Sequence, residues 1–411
     1  MQNSYFVGLD IGSTAVRCII GQLNEQDVAP TVIGTGVSPN LGVRKGSIVN
    51  IQDTVNAIDA AIEQAERMSG YEVRGATINV NGSHIVGMNS KGVVAISSST
   101  REIGQDDISR VEEAATVVQL PANREIIQVF ARDYRLDGQE HIKDPIGMTG
   151  VRLEVDAHVV TAATPSLRNL EKAMNGAGTQ VHFRLLGGLA AAEAVINREQ
   201  RENGVVVVDY GATTTNLAVF EEGDVQHVAV IPVGSHNLTN DLAIGLRTEL
   251  EVAEEVKLAH AGRGLRDKSR TVTVELGDDE FTFKRSDVEH IVAARLEETF
   301  NLVDKELDKI NRSGRLPGGV VLVGGGAKLE GLDEYVRDLL KLPARISKPQ
   351  GFAGLIDNID SPEFATAIGL MLYDMHASLG EDFNAGRGTG LRLNLSGLGR
   401  GLMGWLRRLK P

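Results

Sequence analysis

The residues best equipped for chemistry sit in one stretch, Val205-Val206-Val207-Val208-Asp209-Tyr210-Gly211-Ala212-Thr213-Thr214-Thr215-Asn216-Leu217-Ala218-Val219-Phe220. Four β-branched residues predict a buried strand, 209–215 a tight turn of small and hydroxyl residues, and 217–220 the returning strand. Backbone N–H groups and Thr hydroxyls presented by such a turn make a concave site for anions. The Asp209 carboxylate beside them suits a hydrated Mg²⁺, which takes one or two carboxylates and keeps its waters. The pattern recurs near the start of the chain. Tyr5-Phe6-Val7-Gly8-Leu9 leads into Asp10-Ile11-Gly12-Ser13-Thr14 and then the apolar run 16–20. Strand, Asp-x-Gly-x-Thr, strand thus occurs once in each half, and two such hairpins would grip a polyphosphate from both sides. A third turn, Gly324-Gly325-Gly326, follows a strand at 320–323 and precedes a helix at 332–340. Three glycines let backbone approach a flat ring or a sugar closely. Together the three turns point to a nucleotide.

The rest of the chain must position these turns. Its 411 residues, 42% apolar and 24% charged, are ordinary for a soluble globular protein of two domains, or of one body with several subdomains. No apolar run is long enough to span a bilayer, and the start of the chain runs straight into a strand without a signal-peptide pattern. The single Cys18 excludes an internal disulfide, fits a reducing cytosol, and reads as a small core residue. A net charge of −13 argues against nucleic acid as a partner.

Val55, Ile58, Ile62, Ala65 and Met68 recur at helical spacing and Gly70 stops the helix. After a strand at 76–80, the segment from about 82 to 160 reads as a small insert. It has strands near 93–96 and 126–134, and a helix carrying Ile108, Val111, Ala115 and Val118 that ends at Pro121. Its last strand, 151–159, alternates apolar and polar residues as a half-solvated strand requires, which makes His158 a surface residue. Thr164 and Pro165 open a helix as cap and first-turn residue. Further helices are expected at 188–197, 237–246, 252–259 and 364–375, with paired strands at 271–275 and 280–284. A long helix capped by Ser286 follows them.

From about Ser378 the character changes. Residues 384–390 are Gly-rich and cannot form a core, so they read as a linker. Beyond it, Leu398, Leu402, Trp405, Leu406 and Leu409 share one narrow helical face. Arg400, Arg407 and Arg408 lie away from that face, and Lys410 sits towards its edge. An amphipathic helix of this kind is too short to span a membrane. It either docks on the body or lies on an anionic lipid surface, where each Lys or Arg contributes ~1 kcal/mol. The linker, the charges and the terminal position favour lipid. Four internal glycines weaken helicity by ~1 kcal/mol each, so the helix is expected to fold on binding.

These residues resemble the actin and sugar-kinase superfamily and, within it, the FtsA family of bacterial division proteins. Beyond the phosphate loops, the resemblance rests on Gly42-Val43-Arg44-Lys45-Gly46, Pro232-Val233-Gly234 with Thr239-Asn240-Asp241, and Ala253-Glu254-Glu255-Val256-Lys257. It also rests on Gly324 to Gly331, Ala365-Thr366-Ala367-Ile368-Gly369-Leu370, the insert and the basic tail. It implies an α/β, actin-like, two-lobed duplicated fold with ribonuclease H-like halves, an inserted α+β subdomain and a C-terminal amphipathic helix. The implied divisions place the first-lobe core at 1–82 and 161–203, with the insert at 83–160. The second-lobe core lies at 204–245 and its small subdomain at 246–315. The core and return helix take 316–377, the linker 378–396 and the helix 397–411.

By position, the resemblance gives Asp10, Gly12, Ser13, Thr14 and Arg17 to a first phosphate loop, and Asp209, Gly211, Thr213, Thr214 and Thr215 to a second, with Gly234 beside it. Asp10 and Asp209 would hold Mg²⁺ through water, Glu254 and Lys257 would reach ribose or adenine, and Gly324, Gly325 and Gly326 would flank the nucleoside. It further implies ATP binding, self-assembly into filaments, and attachment to the inner face of the cell membrane at the division site. There the protein would grip the C-terminal tail of FtsZ, through the 246–315 region, and help recruit later division proteins. Some residues depart from the family pattern. Arg17 stands where many relatives have Lys, Ala212, Thr213 and Ser235 replace glycines, and Asn216 replaces an Asp. An Asn cannot act as a carboxylate base, so ATP binding is expected with slow or absent hydrolysis.

Two other readings use the same fold. A PilM-like adaptor of a type IV pilus would lack the basic tail. A sugar or acetate kinase would need a catalytic Asp or His and a substrate pocket, and neither is visible; fold alone does not assign chemistry. The tail reading is directly testable. A chain ending at Gly390, or carrying Trp405→Glu, is expected to stay in the supernatant when anionic vesicles are pelleted, while still binding ATP.

Overall fold

The computed structural model describes residues 4–24, 27, 29–260, 270–354 and 359–380. The tail reading and the linker reading from 381 on fall outside these residues; at 378 and 379, where the linker is expected to begin, the chain is still helical. The chain opens with β1 (Ser4–Ile11), β2 (Ala15–Leu23), β3 (Thr31–Pro39), the short hairpin β4 (Val43–Arg44) and β5 (Ser47–Ile48), α1 (Ile51–Ser69) and β6 (Gly75–Val80). The insert carries β7 (Val86–Ala95), α2 (Gln105–Ala115), β8 (Arg124–Leu136), β9 (Gln139–Ile142) and β10 (Arg152–Ala163). The first lobe resumes with α3 (Thr164–Gly176), β11 (Gln180–Leu186), α4 (Gly187–Val195) and α5 (Arg198–Asn203). The second lobe contains β12 (Val205–Tyr210), β13 (Thr215–Glu221), β14 (Asp224–Ile231), α6 (Ser235–Leu246) and α7 (Leu250–His260). It continues with β15 (Thr271–Leu276), β16 (Asp279–Lys284), α8 (Arg285–Asp308), β17 (Val320–Val323), α9 (Leu332–Leu340) and β18 (Ala344–Ile346). After β19 (Ala353–Gly354), α10 (Ala365–Leu379) returns between the lobes.

The two sheets repeat one plan. The first runs β11-β6-β1-β2-β3, with β19 added at its edge, and the second runs β18-β17-β12-β13-β14. In each, a hairpin carries an Asp-x-Gly-x-Thr turn and its first strand pairs in parallel with a later strand. Val205 to Val208 are fully buried, as the β-branched run predicts. The sheets are joined by one apolar cluster. It takes Phe6 and Ile19 from the first lobe, Val207, Phe220 and Val323 from the second, and the buried faces of α4 and α10. There α10 presses so closely on α4 that a Cβ on Gly369 would lie 1.6 Å from the Ala190 carbonyl oxygen. Asp374 on the same helix is buried and accepts from the Val7 N–H at 2.9 Å and the Thr77 hydroxyl at 2.7 Å. Its Oδ1 also lies 3.1 Å from His182 Nδ1.

Helix α1 forms as expected. Asn50 Oδ1 accepts from the Asp53 N–H, Gly70 stops the helix in the left-handed region at φ 71°, and Val55, Ile58, Ile62 and Ala65 face inward. Met68 is half exposed at the helix end. Strand β3 has no counterpart in the sequence reading, because its centre, Gly34-Thr35-Gly36, lacks a β-branched run. The glycines serve packing, since a Cβ on Gly36 would lie 1.9 Å from the Ala61 carbonyl oxygen of α1.

Four further sequence expectations are corrected. Thr164 lies inside α3, whose cap is Ala163, and Ser286 lies inside α8, whose cap is Lys284; neither capping residue makes a side-chain bond. Helix α2 ends at Ala115, and Val118 lies beyond it. His158 is the substantive one. The alternation along β10 holds only to Ala157, and His158 is 1% exposed. It is covered because the insert docks on β14, the edge strand of the second sheet. Its Nε2 accepts from the Val228 N–H at 3.3 Å, so the ring proton sits on Nδ1 and donates to Asn89 Oδ1 at 2.8 Å. Burial, with His227 and Arg132 nearby, pushes its pKa down to about 3, so the ring stays neutral. Arg132 also donates to the Gln226 carbonyl, and Lys143 pairs with Asp224 at 2.7 Å.

The helix contact yields a test. Gly369→Ala is expected to lower unfolding stability by more than about 2 kcal/mol, because backbone must move to admit the methyl. Urea denaturation measures this, and a loss under about 0.5 kcal/mol would contradict the packing.

Candidate functional site

Each Asp-containing hairpin closes with the same bond, Gly12 N–H to the Ala15 carbonyl at 3.0 Å and Gly211 N–H to the Thr214 carbonyl at 2.9 Å. The two turns meet across the cleft. The Thr213 hydroxyl donates to Ser13 Oγ at 2.6 Å, and Asn81 Nδ2 from the first lobe donates to Thr214 Oγ1 at 3.1 Å. Thr14 is tied on the other side, its carbonyl accepting from the Asn40 N–H at 2.9 Å.

Antiparallel register sets the electrostatics. Asp10 is paired directly with Arg17, and Asp209, in the equivalent place, with Asn216. One carboxylate therefore has a cation as its cross-strand neighbour and the other a neutral carboxamide. Asp10 Oδ1 accepts from Asn79 Nδ2 at 2.6 Å, while Asn79 Oδ1 accepts from the Ile11 N–H at 2.8 Å. Asp209 Oδ2 accepts from Asn216 Nδ2 at 3.1 Å and from the Thr366 hydroxyl at 3.4 Å. Burial raises the Asp10 pKa to about 7; Arg17 opposes the rise and the facing Asp209 adds to it. Burial also raises Asp209, against the hydrogen bonds from Asn216 and Thr366 and the Arg17 charge. Two buried carboxylates that repel each other are relieved by a cation between them.

The surrounding polar atoms fit such a guest. Asn216 Oδ1 and Arg17 Nε are buried without a hydrogen-bond partner among the described residues. A hydrated divalent cation offers water protons to Asn216 Oδ1, and a phosphate offers an acceptor to Arg17. Asp10, Asp209 and these two groups are the residues that would hold a Mg²⁺-bound polyphosphate.

The third turn is a 3₁₀ turn, Gly325–Lys328. Gly324, at φ 85°, lies over Asp209, where a Cβ would come within 2.4 Å of Oδ1. Gly326 lies against the Tyr210 ring. Beside the second turn, Gly234 leads into α6, whose Ser235 and His236 N–H groups donate to the Gly211 and Ala212 carbonyls. One turn further along α6, the Thr239 hydroxyl donates to Glu254 at 2.6 Å. Lys257 Nζ lies 2.7 Å from the same carboxylate oxygen and 3.0 Å from the Thr239 hydroxyl. The structure thus brings the three turns together and ties Glu254 and Lys257 to each other on the second-lobe side.

Asn79, Asn81, Glu363 and Thr366 belong to this site and were not singled out in sequence. For Asn79 there was a signal, since a carboxamide inside a strand that is otherwise buried needs a partner. Glu363 carried none, because it arrives from more than 150 residues beyond Asp209, and Thr366 was read only as part of the run 365–370 that carries the family resemblance.

Duplicated sheets, paired Asp turns and an insert in the first half define a two-lobed actin-like fold. Solved structures agree. A PilM–PilN type IV pilus biogenesis complex matches with a TM-score of 0.66 and 18% identity, over 90% of this chain and 98% of that one. MreB5 of Spiroplasma citri bound to ADP matches with a TM-score of 0.56 and 13% identity, over 92% and 98%. At these identities the likeness shows the fold. Sequence comparison is more specific. The family model described as cell division protein FtsA matches residues 206–369, and one described as the SHS2 domain inserted in FtsA matches residues 82–161. Cell division protein FtsA of Pseudomonas aeruginosa is 38% identical over 373 residues, 90% of this chain and 89% of that protein. The Bacillus subtilis (strain 168) protein of the same name is 37% identical over 375 residues, 90% and 83%. The chain belongs to the FtsA family of cell-division proteins.

The raised Asp10 pKa gives a test with a definite sign. In the unfolded chain Asp10 ionises near its ordinary 3.8 and in the folded cleft near about 7, so ionisation costs stability as pH rises between them. Asp10→Asn removes that cost. Without nucleotide or Mg²⁺, the variant's stability relative to the parent is expected to grow by about 1.4 kcal/mol per pH unit between about 4 and about 7, then level off. Denaturation at a series of pH values measures it, and a pH-independent difference would contradict the assignment.

Proposed function

We propose that the chain binds Mg²⁺·ATP between its lobes and acts as a polymerising scaffold. In this reading it tethers FtsZ filaments to the inner face of the cell membrane at the division site and helps recruit later division proteins. The observation that carries the nucleotide part is the facing pair Asp10 and Asp209, with Arg17 and Asn216 beside them holding unspent polar atoms. Mg²⁺, when bound, neutralises phosphate charge and fixes the polyphosphate against the two carboxylates. In the turns at Gly12 to Thr14 and Gly211 to Thr214, the N–H groups and hydroxyls not used in closing the hairpins would reach the phosphates; the Thr215 hydroxyl is buried and donates to the Val233 carbonyl instead. Gly324 to Gly326 leave room for the nucleoside, and Glu254, whose side chain is partly exposed, can meet the ribose. Membership of the FtsA family supports the division role. The ADP bound to MreB5, a protein of the same fold, supports a nucleotide as the ligand.

Hydrolysis is expected to be slow. Asn216 spends its NH₂ on Asp209, and its free oxygen accepts protons without being basic enough to remove one. The membrane part rests on the sequence of 397–411, which offers an apolar face with Trp405 and a basic side. Among the described residues, no helix is long and apolar enough to cross a membrane. A single short helix binds lipid weakly, and a filament multiplies that affinity without new contacts. The pilus-adaptor reading shares the fold, and nothing in the site favours it.

The tether reading predicts a three-component result. FtsZ is expected to pellet with anionic vesicles when the intact chain and Mg²⁺·ATP are present. It is expected to remain in solution when the chain ends at Gly390, or when FtsZ lacks its C-terminal tail. Equal pelleting with and without the chain would overturn the reading.

A further inference from the structure

Arg17 is the cation that faces both loop carboxylates, and it is already engaged. Its guanidinium lies over the Phe364 ring, 5.5 Å from the centroid, and its Nη2 is 3.9 Å from Glu363 Oε2. The same Glu363 oxygen is 3.3 Å from Lys328 Nζ, at the end of the third turn. Glu363 sits in the turn Pro362–Phe364 that leads into α10. This turn is fixed to the second lobe, because the Pro362 carbonyl accepts from the Gly324 N–H at 3.0 Å and Thr366 reaches Asp209. One carboxylate therefore links the strand after the first phosphate loop to the glycine turn of the other lobe.

Glu363 differs from its neighbours in how it is held. Asp10 is fixed by Asn79, and Asp209 by Asn216 and Thr366. Among the described residues the Glu363 carboxylate has two ion pairs, one of them long, and its side chain is 25% exposed against 16% for Arg17. Such a pair is weak enough to exchange. The Phe364 face keeps the guanidinium plane in place while its N–H groups change partner. The buried, unpartnered Arg17 Nε shows that Glu363 does not satisfy the guanidinium.

We propose that Glu363 is an internal competitor of the phosphate chain: it holds Arg17 and Lys328 when the cleft is empty, and phosphate must displace it from Arg17. Glu363 then sets nucleotide affinity and the rate of release. This rests on the nucleotide reading of the site. Removing the charge while keeping the shape leaves Arg17 available to phosphate alone.

The test uses the full chain with Mg²⁺·ATP and Mg²⁺·ADP, read by calorimetric titration and by stopped-flow release of a fluorescent ADP analogue. Glu363→Gln is expected to bind roughly three- to tenfold more tightly, with correspondingly slower release. In an Arg17→Ala background the same change is expected to bring no gain. Unchanged or weaker binding by a Glu363→Gln chain of normal thermal stability would overturn the proposal. So would a gain that persists without Arg17, since the competitor would then act elsewhere. Absence of binding by both the parent and Glu363→Gln would instead sink the nucleotide reading, and this proposal with it.

Discussion

A buried Asp10 and a partly buried Asp209, close enough for the second to raise the pKa of the first, are the constraint on which the rest of the structure turns. Burying one ionised Asp is costly, and burying two that face each other is more so. The fold meets this cost with neutral donors and one cation. Asn79 and Asn216 each give a carboxamide N–H to a loop Asp, and the Arg17 charge lowers the pKa of both. Burial raises the pKa of both carboxyls, and under the proposed reading a hydrated cation would offset that cost.

The frame that carries the two hairpins is the shared core around α4 and α10. The close approach at Gly369 and the buried Asp374 tie α10 to the first lobe, while Pro362 and Thr366 tie its entry to the second. The insert adds a second crossing. It grows from the first lobe yet grips the β14 edge through His158 and Arg132, covering backbone groups that an open edge strand would expose. The contact combines the neutral, buried His158 with the exposed ion pair of Lys143 and Asp224.

What the sequence made legible was local. The Asp-x-Gly-x-Thr turns could be read because each closes within a few residues, and their repetition in two halves implied duplicated sheets. Helix α1 could be read because its apolar stripe and glycine stop are short-range signals, and α9 because Leu332, Val336 and Leu340 recur at helical spacing after Gly331. What stayed hidden was long-range. Strand β3 has glycine where strands have branched residues, because α1 lies against it. His158 looked exposed because the alternation of its strand continues into a face that a different lobe covers. Glu363 and Thr366 enter the site from a segment whose sequence carries no phosphate-binding pattern. The replacement of Asp by Asn at 216 was visible. Its meaning was not, until the register showed that Asn216 occupies, opposite Asp209, the place Arg17 occupies opposite Asp10.

The most direct measurement of the central claim is the affinity for ATP with Mg²⁺ and with the metal chelated, for the parent chain and for Asp209→Asn. If the facing carboxylates need a cation, the parent binds at least roughly tenfold more weakly without Mg²⁺, and Asp209→Asn loses most of that difference. Equal affinity with and without Mg²⁺ in the parent would contradict the account, because the two carboxylates would then be holding nothing.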